Sequence, residues 1–251
     1  MTVATATSSA TDMWTNWIDA RHVSCETVDE LRRRVHDEIS PVLQLDGFWH
    51  PEKFRALAAS VRALPQWERL LVLYDESGGV RTASDNQFEA AALARRFSSH
   101  DRAIGIEQQL GSSPTIAVEH QRWLRQFFAF AILTPALSSW VGEVFDRRGV
   151  GVTSVEFARY RRGDYIAEHT DAVGQRLCHL VTYFDEDYAP ADGGGLVVFG
   201  RDGRQHRCEP RFNSAILLPL DPANRHRVEP WTAQRPGRWS ASIAFQVGPR
   251  S

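Results

Sequence analysis

The chain has 251 residues, 43% hydrophobic and 24% charged, with 29 Lys plus Arg against 31 Asp plus Glu and a net charge of −2. That length suits one sizeable core, and a near-neutral chain has no global field to draw it to nucleic acid or to an anionic membrane. Cys25, Cys178 and Cys208 are too few and too scattered for a disulfide framework or a Cys-rich zinc module. No segment approaches the roughly 18 apolar residues of a membrane span.

Residues 1–12 are Ala, Thr and Ser with no basic start or apolar run, which predicts a disordered tail and a cytoplasmic protein. Thr27 and Glu30 form a capping-box pattern, and Val28, Leu31, Val35 and Ile39 recur at helical spacing, so a first helix is expected to about residue 39. Residues 42–45 read as a short strand, Asp46-Gly47 as a turn, and Pro51 opens a second helix to about residue 64. Residues 67–82 predict a hairpin around Ser77-Gly78-Gly79, whereas 84–115 carry no clear pattern.

Two more helices are expected at 119–133 and 136–145, with Trp123, Phe127, Phe130, Leu133, Leu137, Trp140, Val141 and Val144 supplying apolar faces for core packing. Past Gly149 the pattern changes to β-prone runs at 152–160, 177–184, 195–199, 214–219, 226–231 and 238–247, separated by Gly, Pro, Asp and Asn. The expectation is therefore an α+β chain: residues 13–251 as one domain, with 13–149 mainly helical support and lid, and 150–251 a β core. Trp67, Tyr74 and the 75–115 region are the candidate lid, and the acidic loop 185–192 is placed at the pocket mouth.

His169-Thr170-Asp171 carries the chemistry. Residues two apart on an extended strand project from one face about 7 Å apart, so His169 and Asp171 can converge on one ion. His226 lies far enough downstream for intervening antiparallel strands to return it beside them, as a barrel or jelly roll would do. Two histidines and one carboxylate on one face of an octahedral metal leave positions open for oxygen and an organic ligand. Arg238 offers a fixed guanidinium fork to a carboxylate, with Arg235 as its rival and Ser240 and Ser242 on its face. His179 and His206 have no partner at ligand spacing and read as structural or surface residues.

Several segments together resemble the prolyl-4-hydroxylase-like iron(II)/2-oxoglutarate dioxygenases over about residues 150–247. They are Tyr160-Arg161-Arg162-Gly163-Asp164-Tyr165, His169-Thr170-Asp171, Leu180-Val181-Thr182-Tyr183-Phe184, Gly193-Gly194-Gly195-Leu196, His226-Arg227-Val228-Glu229-Pro230 and Arg238-Trp239-Ser240. The resemblance implies a double-stranded β-helix of the jelly-roll or cupin type, with iron(II) held by His169, Asp171 and His226 and with 2-oxoglutarate and O2 as co-substrates. It gives Arg238 the distal carboxylate of 2-oxoglutarate, Tyr183 a hydroxyl beside that carboxylate, Tyr160 a place near the co-substrate, and Arg176 a place facing substrate. Arg235-Pro236-Gly237 makes the excursion before Arg238 longer than the family's usual turn.

The expected reaction converts 2-oxoglutarate to succinate and CO2 while oxidising a C–H bond. In related halogenases a small residue replaces the acidic ligand to admit chloride, so Asp171 implies hydroxylation-type chemistry instead. The expected substrate is a small molecule, a free or carrier-bound amino acid or a natural-product intermediate. The alternatives are a prolyl residue in a protein or peptide, and a non-oxidative cupin-like isomerase or metal-binding protein.

Overall fold

A computed structural model describes residues 17–36, 42–74, 80–82, 97–103, 116–172 and 174–248. Helix α1 (Cys25–His36) is followed by strand β1 (Leu43–Asp46), helix α2 (Pro51–Arg62), and strands β2 (Trp67–Tyr74), β3 (Val80–Thr82) and β4 (Phe97–Ala103). Helices α3 (Val118–Phe128) and α4 (Ala136–Phe145) flank a π-helical turn, Ala129–Leu133. Then come β5 (Val150–Tyr160), β6 (Ile166–His169), β7 (Arg176–Tyr183), β8 (Leu196–Phe199), β9 (Gln205–Cys208), β10 (Ser214–Pro219), β11 (His226–Val228) and β12 (Gly237–Val247).

These form one 12-stranded sheet in the order β1-β10-β7-β12-β5-β4-β6-β11-β8-β9, with β2 paired to β4 and β3. Every pairing is antiparallel, and the sheet rolls into the nearly closed barrel of a jelly roll. Side chains along the central strands alternate between the helices and the barrel interior. On β12, Ala241, Ile243 and Phe245 face the helices while Ser240, Ser242 and Ala244 face the barrel interior. On β10 the same alternation sends Ala215 and Leu217 to the helices and Ile216 and Leu218 inward.

The helices cover the outer face with an aromatic layer. Phe54, Leu57, Ala58 and Val61 form the buried stripe of α2, and Phe54 stacks on Phe184 with ring centroids 5.0 Å apart. Trp49 lies between Phe48 and Phe127 and donates its indole N–H to Thr182 Oγ1 at 2.8 Å. Together with Trp140 and Phe157 these side chains hold the helices against the sheet.

Several expectations change. Within 84–115, which carries no clear sequence pattern, β4 joins the sheet together with the expected strand β1 and the expected β2 and β3. Helix α1 is capped by Ser24, whose Oγ accepts from Thr27 N at 3.2 Å, rather than by Thr27 itself. Its predicted last turn and the Ser77-Gly78-Gly79 hairpin tip lie outside the described residues, as do 1–12 and, within the candidate lid, 75–79, 83–96 and 104–115. Leu133, expected on an apolar face, is 80% exposed because the π turn shifts the helical register after Phe128 and buries Phe130 and Ala131 instead. Trp67 is no lid: it packs edge-on against Trp239 at 5.2 Å beneath the Arg159 guanidinium. No residue of 185–192 lines the cavity.

Candidate metal centre

His169 ends β6 and sits directly opposite His226, the first residue of β11, in the antiparallel ladder. This register puts the two imidazole centroids 4.2 Å apart. Asp171 lies two residues past His169, just beyond the strand end, with Oδ2 3.6 Å from His169 Nε2 and 3.5 Å from His226 Nε2. Among the described residues these three are the group whose ligand atoms gather closely enough for an ion, all within 4.8 Å.

His169 Nδ1 faces Ala167 O at 2.9 Å, and a carbonyl only accepts, so Nδ1 donates to it and Nε2 is the nitrogen turned toward Asp171. His226 Nδ1 faces Asn224 O in the same way, at 3.5 Å. Burial lowers the pKa of His226. Burial also opposes ionisation of Asp171, but its contacts with His169 and His226 outweigh that and hold the carboxyl well below the usual carboxylate range. Two imidazole nitrogens and a carboxylate form the donor set suited to a divalent ion such as iron(II).

Asp164 of the Gly-Asp turn fixes the approach to this centre. Its carboxylate accepts from Arg161 N at 2.8 Å, from Ser99 Oγ at 2.9 Å and from both terminal nitrogens of Arg69. The turn between β5 and β6, and hence the placement of His169, is therefore tied to β2 and β4.

Arg238 lines the same cavity, of about 380 Å³, as the three metal-type ligands. It is 3% exposed, and its Nε donates to Gly194 O at 2.7 Å and its Nη2 to Tyr183 Oη at 3.4 Å. The guanidinium carbon sits 4.5 Å from the Tyr160 ring centre and 5.2 Å from that of Tyr183. Burial pushes the Tyr183 hydroxyl up to about 12 and raises Tyr160 as well, so both stay protonated. The backbone of Arg238 has φ +46°, a left-handed conformation that costs about 1–3 kcal/mol in a non-glycine residue. Gly194 makes room for its side chain, since a Cβ there would meet Arg238 Cδ at 2.9 Å, and Gly237 makes room for Trp231, whose ring a Cβ would meet at 2.1 Å.

No carboxylate among the described residues pairs with Arg238, although a buried unpaired guanidinium is expensive. Arg235 is placed quite differently: its guanidinium reaches Asp185 at 3.4 Å, Asp192 at 3.1 Å and Asp187 O at 2.9 Å on the outer loop. The long excursion before Arg238 is thus anchored by Arg235 and by Trp231, whose indole N–H donates to Arg235 O at 2.8 Å.

The remaining candidate, Arg176, lines the cavity as an exposed side chain. Ser240 and Ser242 line it too. His179, expected at the surface or in a structural role, lines the cavity with Nδ1 3.6 Å from Asp171 Oδ2, and burial brings its pKa down to about 4. Ser98, His100 and Arg102 of β4 also line the cavity and were not foreseen. The signal available for them was the alternation in Phe97-Ser98-Ser99-His100-Asp101-Arg102-Ala103, which has strand period but no apolar face.

Residues 155–246 match the family model described as the 2OG-Fe(II) oxygenase superfamily. Among curated protein sequences none matches the chain. Solved structures share the fold: a prolyl-4-hydroxylase from Pseudomonas putida is 21% identical with a TM-score of 0.51, covering 88% of this chain and 93% of its own. A Trichoplax adhaerens prolyl hydroxylase, in complex with a hypoxia inducible factor oxygen degradation domain peptide fragment, is 14% identical with a TM-score of 0.58, at 88% and 89% coverage. The alpha ketoglutarate dependent epimerase SnoN from nogalamycin biosynthesis is 12% identical with a TM-score of 0.59, at 89% and 82% coverage. Residues 155–246, with the His169, Asp171 and His226 cluster inside them, thus match the 2OG-Fe(II) oxygenase superfamily, whose members use iron(II), 2-oxoglutarate and O2.

Proposed function

We propose that this protein hydroxylates an unactivated C–H bond of a small amino-acid-derived or natural-product substrate, with 2-oxoglutarate consumed to succinate and CO2. The observation that carries the reading is a buried Arg238, with no carboxylate partner among the described residues, in the same cavity as His169, Asp171 and His226. Iron(II), when bound, supplies oxygen activation.

The chain's own residues do the rest. His169 and His226 would offer Nε2 to the metal, and ionised Asp171 would supply the negative ligand. Because Asp171 fills that position, the centre favours hydroxylation-type chemistry over chloride transfer. Arg238 receives the distal carboxylate of 2-oxoglutarate, while the Tyr183 hydroxyl, already beside Nη2, donates to the same group. Tyr160 walls that end, and Val181, Leu196, Leu218 and Val228 form the apolar lining that excludes water. Arg176, exposed at the cavity wall, meets the substrate.

The test is 2-oxoglutarate-dependent succinate formation measured against free amino acids, carrier-bound amino acids, prolyl peptides and pathway extracts. Stimulation by amino acids or pathway intermediates, with product heavier by one oxygen, is the expected result. Stimulation by prolyl peptides alone would move the substrate to a polypeptide.

A further inference from the structure

Strand β4 carries two opposite surfaces. Ser99 and Asp101 alternate with Ser98, His100 and Arg102, so the two sets face opposite ways. Asp101, fully buried, accepts from Arg159 Nε and Arg161 Nε, each at 2.9 Å, and Ser99 donates to the buried Asp164, which Arg69 holds. Buried ions persist only when paired and hydrogen-bonded, so this face is a rigid mounting. The other face lines the cavity.

On that cavity face Ser98 Oγ and His100 Nδ1 are buried with no hydrogen-bond partner among the described residues. Native structures seldom leave such atoms unpaired unless a ligand or water completes them. Arg102 by contrast is paired to Glu68 at 3.6 Å. The His100 ring lies nearly parallel to Tyr160, with centroids 5.5 Å apart and planes at 14°, and Tyr160 in turn carries the Arg238 guanidinium. Imidazole, phenol and guanidinium therefore share one end of the cavity. Burial, then the Arg238 charge, brings His100 down to about 4, so at neutral pH it offers one N–H and one lone pair beside a cation.

We infer that His100 is a 2-oxoglutarate-binding residue, donating its ring N–H to a carboxylate oxygen of the co-substrate alongside Arg238, with Ser98 supporting it from the same face of β4. The inference rests on the co-substrate reading of the cavity. It adds a residue that lies outside the 155–246 segment matched by the family.

The experiment is calorimetric titration of 2-oxoglutarate into the full-length protein loaded with Mn(II). His100→Phe keeps the ring stacked on Tyr160 and removes both nitrogens, so 2-oxoglutarate should bind about tenfold to a hundredfold more weakly. His100→Gln, which retains a donor, should recover to within about threefold of wild type, and Mn(II) affinity without 2-oxoglutarate should be unchanged in both. A His100→Phe protein that binds 2-oxoglutarate within about twofold of wild type overturns the inference, and so does a parallel loss of Mn(II) affinity, which would mark general collapse of the cavity. Wild-type protein that binds Mn(II) but takes up no 2-oxoglutarate would instead overturn the co-substrate reading itself.

Discussion

Replacing Arg238 by methionine removes the charge from a side chain that is 3% exposed and has no carboxylate partner among the described residues, while keeping much of its apolar stem. Two effects of opposite sign follow. In the protein alone, the guanidinium is held by Gly194 O, Tyr183 Oη and two aromatic rings, none of which carries a full negative charge. Its loss should leave thermal stability unchanged or raise it, since a buried unpaired charge is itself unfavourable. With co-substrate, the variant forfeits a buried charge-assisted pair worth about 2–5 kcal/mol, so 2-oxoglutarate affinity should fall by about thirtyfold to several thousandfold. The assay pairs a thermal melt of the metal-free protein with calorimetric titration of 2-oxoglutarate into the Mn(II)-loaded form. An Arg238→Met protein that binds 2-oxoglutarate within about threefold of wild type would refute the assignment of this residue as the carboxylate anchor.

The rival arginine gives the matching negative expectation: Arg235→Ala should leave 2-oxoglutarate affinity within about twofold of wild type, because its guanidinium serves the 185–192 loop, and should cost about 1–3 kcal/mol in a denaturant melt, because the buried Asp185 carboxylate loses its cation. Asp171→Ala should abolish coupled product formation and sharply weaken metal binding by calorimetry, since it removes the one ionised ligand; undiminished turnover would sink the triad. Asp101→Asn leaves Arg159 and Arg161 without their buried carboxylate and should destabilise by about 3 kcal/mol in a urea titration, with β4 loosened first. Burial alone would raise the Asp101 pKa, but Arg159 and Arg161 bring it below its ordinary value. A depressed carboxyl contributes stability above its unfolded value, near pH 4, and loses it as pH falls through the lower folded value, so the Asp101→Asn variant should show a shallower acid limb than wild type.

The centre was legible where chemistry is written locally. His169 and Asp171 are two apart, Arg238 follows a glycine, and the tyrosine and glycine company around them is dense enough to carry a family resemblance. Strand β4 was opaque for a physical reason: one face meets a cavity and the other a buried ionic network, so Ser98 to Arg102 alternate polar with polar and the hydrophobic period disappears. His179 is a lone histidine in an apolar strand, and only the return of β7 beside Asp171 gives it meaning. Leu133 was misplaced because a π turn shifts the helical register without an evident local sign. Strands β1 and the β2–β3 pair were readable from local pattern, whereas β4 was not, its partners β5 and β6 lying far along the chain.

The central claim, that one cavity binds iron(II) through His169, Asp171 and His226 and 2-oxoglutarate through Arg238, is tested most directly by adding iron(II) and then 2-oxoglutarate to the protein under anaerobic conditions and recording the visible spectrum. The account predicts a metal-to-ligand charge-transfer band that appears only when both are present, is absent in Asp171→Ala, and requires far more 2-oxoglutarate in Arg238→Met. Correctly folded wild-type protein that develops no such band would contradict it.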